Sequence, residues 1–310
     1  MAHPLPGAPP MMNPFSSLNM VCLLLASSCA FPHEGSEATD EFEELGTTVE
    51  PFTGGVATSS SLAIQVNGCS GTLLNPRTVL TAAHCFDHEG GNEVVKLIQT
   101  KATERSPGSY KYTRVCALNI EPCEFEAKVI IRPDSEDSHK NDLALVVLKN
   151  TSIPLAVRHA PLLRAIKSHS KGKYTFLSYG PRSTDDTSHG KLHMATVNIE
   201  KFESTMATDK IYTLDEVHPC YGDSGAPLLY ETATIDNNFR EVVGAVVSGP
   251  SDEFLGSIGP RGDTVRRCMS TGDAYYPTTY NSRQWIADNA DRGCRTVTDS
   301  VGRTFLDCAY

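Results

Sequence analysis

Residues 69–85 read CSGTLLNPRTVLTAAHC. The apolar runs GTLL and TVLTAA lie on either side of the turn signal Asn75-Pro76-Arg77. Short apolar and β-branched runs separated by turn residues predict two antiparallel strands. His84 follows the second run, and a cysteine closes each end of the stretch. The stretch therefore predicts a β-hairpin whose ends carry chemically reactive residues.

The same pattern continues outward from this hairpin along most of the chain. Further short apolar runs, separated by turn signals such as NG, GG, SPG and RPD, are SLAIQV (61–66), EVVKLIQT (93–100), AKVIIR (127–132), LALVVL (143–148), KYTFLSYG (173–180), KLHMATVNIE (191–200), APLLYE (226–231) and EVVGAVVSG (241–249). Many short strands without helical periodicity predict an all-β sandwich or barrels. One helix is predicted in SRQWIADNA, beginning after the polar pair Asn281-Ser282 and ending near Gly293, and a linker around 149–165.

Composition narrows the class of protein. The chain has 310 residues, enough for one or two domains, and a formal net charge of −10, which argues against a nucleic-acid binder. Its 10 cysteines include no CxxC pair, so a zinc ribbon or thioredoxin-like site has no support. Disulfides formed in an oxidising compartment explain the cysteines better than buried free thiols do. No metal or other cofactor is expected.

The amino-terminal part of the chain predicts export. The short apolar run MVCLLLA (20–26) precedes small residues, as in a secretory signal, although no Lys or Arg comes before it. The run is too short to span a bilayer. Residues 1–30 are therefore predicted to be a signal peptide, or a lipoprotein signal with Cys29 as the lipid anchor. The acidic residues 31–51 are interpreted as a pro-segment or spacer.

Three separate segments carry the chemistry: TAAHC (81–85), NDLAL (141–145) and GDSGAP (222–227). Each segment alone is ordinary, since a histidine beside a cysteine, an aspartate before a strand and a Gly-Asp-Ser-Gly turn are commonly structural. Together they supply a histidine, an aspartate and a serine. A serine hydroxyl is a poor nucleophile at neutral pH and needs a base within hydrogen-bond reach. The three motifs therefore predict nucleophilic catalysis.

The chain resembles the trypsin-like (chymotrypsin) family of serine proteases. The resemblance rests on CSGTLLNPRTVLTAAHC (69–85), HPCYGDSGAPL (218–228), VVSGP (246–250) and CMSTGDAYYPTTYNSRQWI (268–286), and it covers about 52–290. It implies two six-stranded antiparallel barrels, about 52–155 and 156–280, with the active site in the cleft between them and a carboxy-terminal helix. Residues 291–310 lie beyond the resemblance as an extension.

The resemblance also implies a role for each residue of the three motifs. His84 would act as the general base, Asp142 would orient it, and Ser224 would be the nucleophile. The backbone N–H groups of Gly222 and Ser224 would form the oxyanion hole.

The same match implies two disulfides, Cys69–Cys85 and Cys220–Cys268. Of the remaining cysteines, the nearest partners suggest Cys116–Cys123 and Cys294–Cys308, and the latter would close the extension.

The resemblance places His218 at the floor of the specificity pocket, where members that cut after Lys or Arg have Asp. A polar, protonatable floor and a histidine turned aside from a generic pocket both remain open. A shift in register that brings Asp273 into the pocket is a third interpretation. Strict Lys/Arg specificity is not expected.

The remaining substrate-binding residues follow from the same alignment. Ala274 would lie on the pocket wall. Ser248 and Gly249 would belong to the edge strand that pairs with the substrate backbone. The next residue, Pro250, has no N–H to donate, so one main-chain contact of the family is in doubt.

Activation departs from the family pattern. Members become active when a cut after Lys or Arg frees an aliphatic amino terminus, which pairs with the aspartate beside the serine, here Asp223. The nearest match is PFTGGV, with Phe52 at the new terminus, and no Lys or Arg precedes Arg77. Three interpretations remain open: an activating protease of other specificity, another donor for Asp223, or an activation motif that has drifted and leaves low activity.

These patterns favour an exported serine endopeptidase that acts on protein or peptide substrates. A protease-fold binding protein without turnover is the alternative. An unrelated adhesion or metal-binding module is a third hypothesis, and it would require the three motifs to be accidental. The tripeptide RGD (261–263) and the scattered His88, His139 and His189 give that hypothesis little support.

Overall fold

The structure is a computed structural model that describes residues 56–57, 60–86, 90–106, 109–133, 135, 141–165, 172–180, 191–204, 209–213, 219, 222–250 and 273–309. The predicted signal and pro-segment, Cys29 included, lie outside these residues, so both stay predictions.

Strands dominate the described residues. They are β1 (Val56–Ala57), β2 (Ala63–Val66), β3 (Cys69–Asn75), β4 (Thr78–Thr81), β5 (Gly91–Ser106), β6 (Ser109–Cys116), β7 (Glu124–Ile131), β8 (Ala144–Leu148), β9 (Leu162–Arg164), β10 (Gly172–Ser178), β11 (His193–Ser204), β12 (Asp209–Thr213), β13 (Pro227–Ile235), β14 (Asn238–Val246), β15 (Gly249–Pro250), β16 (Asp273–Tyr276), β17 (Arg295–Thr298) and β18 (Thr304–Asp307). One α-helix, α1 (Thr279–Asn289), follows β16.

The first group of strands closes into an antiparallel barrel. The order is β2-β3-β4-β8-β7-β5, and β2 pairs with β5 to complete the ring. Alternate side chains point inward, as in β7, where Phe125, Ala127 and Val129 are buried between exposed neighbours. The six-stranded first barrel expected from the sequence is confirmed.

A hairpin arm extends from this barrel. Strand β5 continues to Ser106 and pairs with β6 from Glu104↔Tyr110 to Ile98↔Cys116. The arm's residues are largely polar and exposed, so β6 carries no apolar run that sequence analysis could recognise. The sequence indicated only the turn signal SPG between the two strands of the arm.

The second group forms a larger sheet in the order β15-β16-β12-β11-β10-β13-β14-β9-β18-β17, with β1 paired to β11. All its pairings are antiparallel except that of β9 with β14. Among the described residues, this path does not return on itself as the first barrel does. The hairpin β17–β18 adds two strands to its edge through β9, which lies in the segment 149–165 that sequence analysis interpreted as a linker. That interpretation was wrong for β9, whose three residues are too short for a strand signal.

The predicted helix is present but starts earlier than the sequence suggested. Thr278 is its N-cap, and the Thr278 hydroxyl accepts a hydrogen bond from the backbone N–H of Asn281 at 3.4 Å. The pair Asn281-Ser282 therefore lies inside the first turn of the helix.

A buried apolar cluster joins the two groups of strands. It combines Leu74, Leu80 and Leu145 of the first barrel with Leu177 and Val243 of the second sheet. The functional motifs lie at the ends of strands beside this shared core. No helix among the described residues is long and apolar enough to cross a membrane.

Candidate active site

His84 lies in a 3-10 turn, Ala83–Cys85, directly after β4. A disulfide joins the next residue, Cys85, to Cys69 at the start of β3, with an S–S distance of 2.01 Å. The turn is thus tied to the hairpin that precedes it. The His84 side chain is 46% exposed, which leaves one face of the ring open to solvent.

Asp142 lies two residues before β8 and is buried in the first barrel, with 2% of its surface exposed. Its carboxylate accepts two hydrogen bonds from His84: one from the backbone N–H at 2.9 Å and one from ring atom Nδ1 at 2.7 Å. A third donor is the hydroxyl of Ser248, at 2.5 Å from Oδ2. These contacts fix both the position and the tilt of the imidazole ring.

Ser224 belongs to the turn between Gly222 and Gly225, which precedes β13 of the second sheet. Its Oγ lies 2.8 Å from His84 Nε2. A carboxylate can only accept, so His84 Nδ1 carries the proton toward Asp142. In the neutral ring, Nε2 is then an acceptor, and the Ser224 hydroxyl donates to it. The three side chains form one directed chain of hydrogen bonds.

His84 and Asp142, the two ionisable groups of this hydrogen-bond chain, shift each other's pKa. Burial by itself would lower the pKa of His84, but the hydrogen bond to Asp142 and its negative charge together raise this pKa by more. The net pKa therefore lies above its usual 6.5. Burial raises the pKa of Asp142, but hydrogen bonds from His84, its partial positive charge and the Ser248 hydroxyl lower it below the usual 3.8. Near neutral pH, Asp142 is therefore ionised, and its negative charge favours protonation of the His84 ring.

Glycines shape the turn around Ser224. Gly222 has φ +86° and Gly225 has φ +83°, conformations that side chains disfavour. A Cβ on Gly225 would lie 2.0 Å from the carbonyl oxygen of Ser70, and one on Gly222 would lie 3.1 Å from Gly180 Cα. The turn therefore packs directly on backbone from both groups of strands. Sequence analysis singled out Gly222 and missed Gly225, although its place after the serine in the GDSGAP motif was the available signal.

Only some of the other predicted substrate-binding residues are among those that the structure describes. Ser248 lies beside the three residues of the hydrogen-bond chain, and its carbonyl oxygen is 3.4 Å from Ser224 Oγ. Gly249 and the backbone of Ala274 lie on the neighbouring strands β15 and β16. His218 lies outside the described residues. Sequence analysis placed Ser248 on the edge strand and missed its side-chain contact with Asp142.

Two further disulfides are present, Cys116–Cys123 and Cys294–Cys308. The expected pair Cys220–Cys268 lies outside the described residues. Two groups of metal-ligating side chains occur in the described part of the chain, and each contains a disulfide pair beside one neighbour, His84 or Glu121. Oxidised sulfurs are not thiolates, so neither group provides a metal-ligand set.

A family model described as Trypsin matches residues 46–256. The chain belongs to the trypsin family. The match spans the motifs of all three triad residues. The fold, with its closed barrel, second sheet and carboxy-terminal helix, is trypsin-like.

Curated relatives within the trypsin family are distant. The urokinase-type plasminogen activator of Gallus gallus is 26% identical over 53% of this chain and 41% of its own length. The collagenase of Hypoderma lineatum is 24% identical over 78% of this chain and 92% of its own, and the venom serine protease of Polistes dominula is 22% identical over 54% and 63%. The chain thus spans less than half of the plasminogen activator.

The structure also matches two solved structures of human heparin binding protein (CAP37). One has a TM-score of 0.47 and 16% identity over 76% of this chain and 95% of that chain. A point mutant of the same protein has a TM-score of 0.47 and 17% identity over 75% of this chain and 94% of that chain.

Proposed function

We propose that this chain is a serine endopeptidase that cleaves peptide bonds through an acyl-enzyme on Ser224. The observation that carries the proposal is the continuous hydrogen-bond chain from Asp142 through His84 to the Ser224 hydroxyl. Family membership supports a hydrolase of the serine protease type. The geometry supports the assignment of the three roles within it.

The chemistry follows from the direction of these bonds. As Ser224 Oγ attacks the peptide carbonyl carbon, its proton passes to His84 Nε2, and Asp142 stabilises the resulting imidazolium. His84 then gives this proton to the leaving amine as the C–N bond breaks. A water molecule, deprotonated by the same ring, hydrolyses the ester and restores the serine. The backbone N–H groups of Gly222 and Ser224 would bind the oxyanion in both steps.

The proposal extends to specificity and location. We expect cleavage that is not restricted to Lys or Arg, because His218 replaces the acidic pocket floor of trypsin-like members. A peptide library, read for the residue before each cut, tests this, and a dominant Lys/Arg signal would refute it. The disulfides Cys69–Cys85 and Cys294–Cys308 support an extracellular or periplasmic location. Protein or peptide substrates are the expected partners.

The enzyme assignment is tested with a fluorophosphonate probe, which phosphonylates an activated serine with loss of fluoride. We expect one equivalent of label on Ser224, together with hydrolysis of peptide or ester substrates. The Ser224→Ala variant should lose labelling and about 10⁶-fold in kcat.

The control is Ser282→Ala, which removes an equally buried hydroxyl that accepts from Arg132 Nη1 at 2.6 Å, away from the triad. It should label like the parent. A folded parent chain that neither labels nor hydrolyses any library peptide would instead favour a protease-fold binding protein.

A further inference from the structure

Asp223 is a buried carboxylate beside the nucleophile. Only 1% of its surface is exposed, and its Oδ1 accepts a hydrogen bond from the hydroxyl of Ser178, at the end of β10. Ser178 is itself buried, and its oxygen accepts from the backbone N–H of Gly180 at 3.1 Å. The charge of Asp223 is thus met by a hydroxyl that the second sheet holds in place.

A second serine meets the same turn from the first barrel. The Ser70 hydroxyl, on β3, donates to the carbonyl of Gly222 at 2.7 Å and accepts from the backbone N–H of Tyr179 at 2.9 Å. The backbone N–H of Ser70 donates to the carbonyl of Ser224 at 2.7 Å. Ser70 therefore holds the turn on both sides of Asp223.

The two hydroxyls divide their protons in only one way. Each serine has one O–H proton. Ser178 uses its proton on the carboxylate of Asp223, since a carboxylate has none to give, and Ser70 uses its proton on the carbonyl of Gly222. The 3.2 Å contact between the two oxygens is then a packing contact within the pair.

We infer that Ser178, assisted by Ser70, is a positioning residue that holds the Gly222–Ser224 turn in its oxyanion-binding form. The inference rests on the proposed function. Withdrawing the hydroxyl would leave a buried carboxylate with fewer donors, and the turn that carries it would move to recover them. The two backbone N–H groups proposed for the oxyanion lie on either side of that carboxylate.

Activation of the proposed enzyme depends on which group pairs with Asp223. The family pattern expects a newly freed amino terminus to pair with Asp223. Here a neutral hydroxyl from within the fold already donates to that carboxylate. We therefore expect the catalytic turn to be competent in a chain that keeps residues 31–51, without a cut before Phe52.

The test uses the full chain, shown by intact mass to retain residues 31–51, and compares Ser178→Ala and Ser70→Ala with the parent. The readouts are the rate of fluorophosphonate labelling per active serine and the split between kcat and KM. We expect Ser178→Ala to slow labelling and kcat by about 10- to 100-fold, less than the loss of an oxyanion donor itself. The pH midpoint of the acidic limb should not move, because the His84–Asp142 pair is untouched.

The matched control is Ser282→Ala, which should keep the parent's rate. A merely structural role for Ser178 would reduce the fraction of folded chain and leave the rate per labelled serine unchanged, and that result would overturn the inference. If Ser178→Ala does not fold, Ser70→Ala decides by the same criterion. Labelling confined to chains cut before Phe52 would also overturn it. A parent chain that never labels would reject the proposed function as well as this inference.

Discussion

At the scale of single residues, the triad depends on one carboxylate with three donors. Replacing Asp142 with Asn keeps the shape of the side chain but removes its charge. The amide can also donate, so it no longer fixes the proton of His84 on Nδ1. We expect kcat to fall by about 10⁴-fold, the loss associated with the wrong imidazole tautomer in triads of this kind. A loss of less than about tenfold would contradict the assigned role.

The pH profile of the same variant tests the effect of Asp142 on the pKa of His84. Catalysis needs a neutral His84, so activity falls as pH drops through the pKa of this ring. Asp142 raises that pKa above 6.5 in the folded protein. Asp142→Asn should therefore move the midpoint of the acidic limb to lower pH, measured as kcat/KM against pH. Asp288→Asn, an exposed carboxylate of α1, is the control and should leave the midpoint unchanged.

The shifted pKa values of His84 and Asp142 also make the stability of the fold depend on pH. The raised pKa of His84 stabilises the fold below 6.5, and this contribution is lost as pH rises through the folded-state value. The lowered pKa of Asp142 stabilises the fold above 3.8, and this contribution is lost as pH falls. The pair is thus most stabilising between these two values.

At the scale of elements, the carboxy-terminal hairpin β17–β18 is joined to the second sheet by a buried ion pair. Arg240 Nη2 on β14 lies 2.7 Å from Asp307 Oδ1 on β18, and both side chains are almost fully buried. The Arg240 Nε–H also donates to the carbonyl of Ala160 at 2.8 Å. Removing one partner of such a pair leaves the other charge buried and unpaired.

We therefore expect Asp307→Ala to lower the free energy of unfolding by about 3–5 kcal/mol. Urea unfolding followed by circular dichroism measures it. Asp288→Ala removes an exposed carboxylate that accepts from Gln284 in the same helix, and it should cost less than about 1 kcal/mol. Equal losses in the two variants would mean that the buried Arg240–Asp307 pair contributes no more to stability than an exposed carboxylate does.

The elements also show what a sequence can and cannot predict. Strands such as β7 and β8 were predictable because one or both of their faces are buried, which imposes an apolar pattern. Strands β6 and β17 were not, because they are held mainly by backbone pairing to a neighbour and their side chains face solvent. Each pairs with the adjacent strand of its own hairpin, β5 or β18, and that backbone pairing leaves no apolar pattern in the local sequence.

The candidate site divides in the same way. His84, Asp142 and Ser224 were identifiable as candidates from the sequence because each has a recognisable flank. The hydroxyls of Ser70 and Ser178 were not, since a serine in a strand has no signature until the strand is placed against its partner. Their contacts join residues far apart in sequence.

At the scale of the whole molecule, the proposed active site requires both groups of strands to stay together. His84 and Asp142 come from the first barrel, and Ser224 comes from the turn before β13. Each of the three disulfides in the described residues lies within one group of strands. In that part of the chain, the contact between the groups depends on packing, on hydrogen bonds and on the ion pair of Arg77 with Asp291 at 3.5 Å.

Asn75 is a measurable part of this contact. From the end of β3, its Nδ2 donates to the carbonyl of Asp291 at 3.2 Å and to that of Cys308 at 3.0 Å, while its Oδ1 accepts from the backbone N–H of Arg77 at 2.9 Å. The side chain is buried, so water cannot replace these bonds freely. Asn75→Ala should lower the free energy of unfolding by about 1–3 kcal/mol.

The measurement follows urea unfolding with two probes. Trp285 is the only tryptophan of the chain and lies in α1, so its fluorescence reports the docking of that helix. Fluorophosphonate labelling of Ser224 reports the assembled triad. We expect both transitions in Asn75→Ala to move together to lower urea, because labelling needs His84 of the first barrel. Asn238→Ala, which loses an exposed bond to the carbonyl of Asp236, should leave both unchanged. Labelling that survives after the tryptophan signal is lost would show that the triad does not depend on this contact.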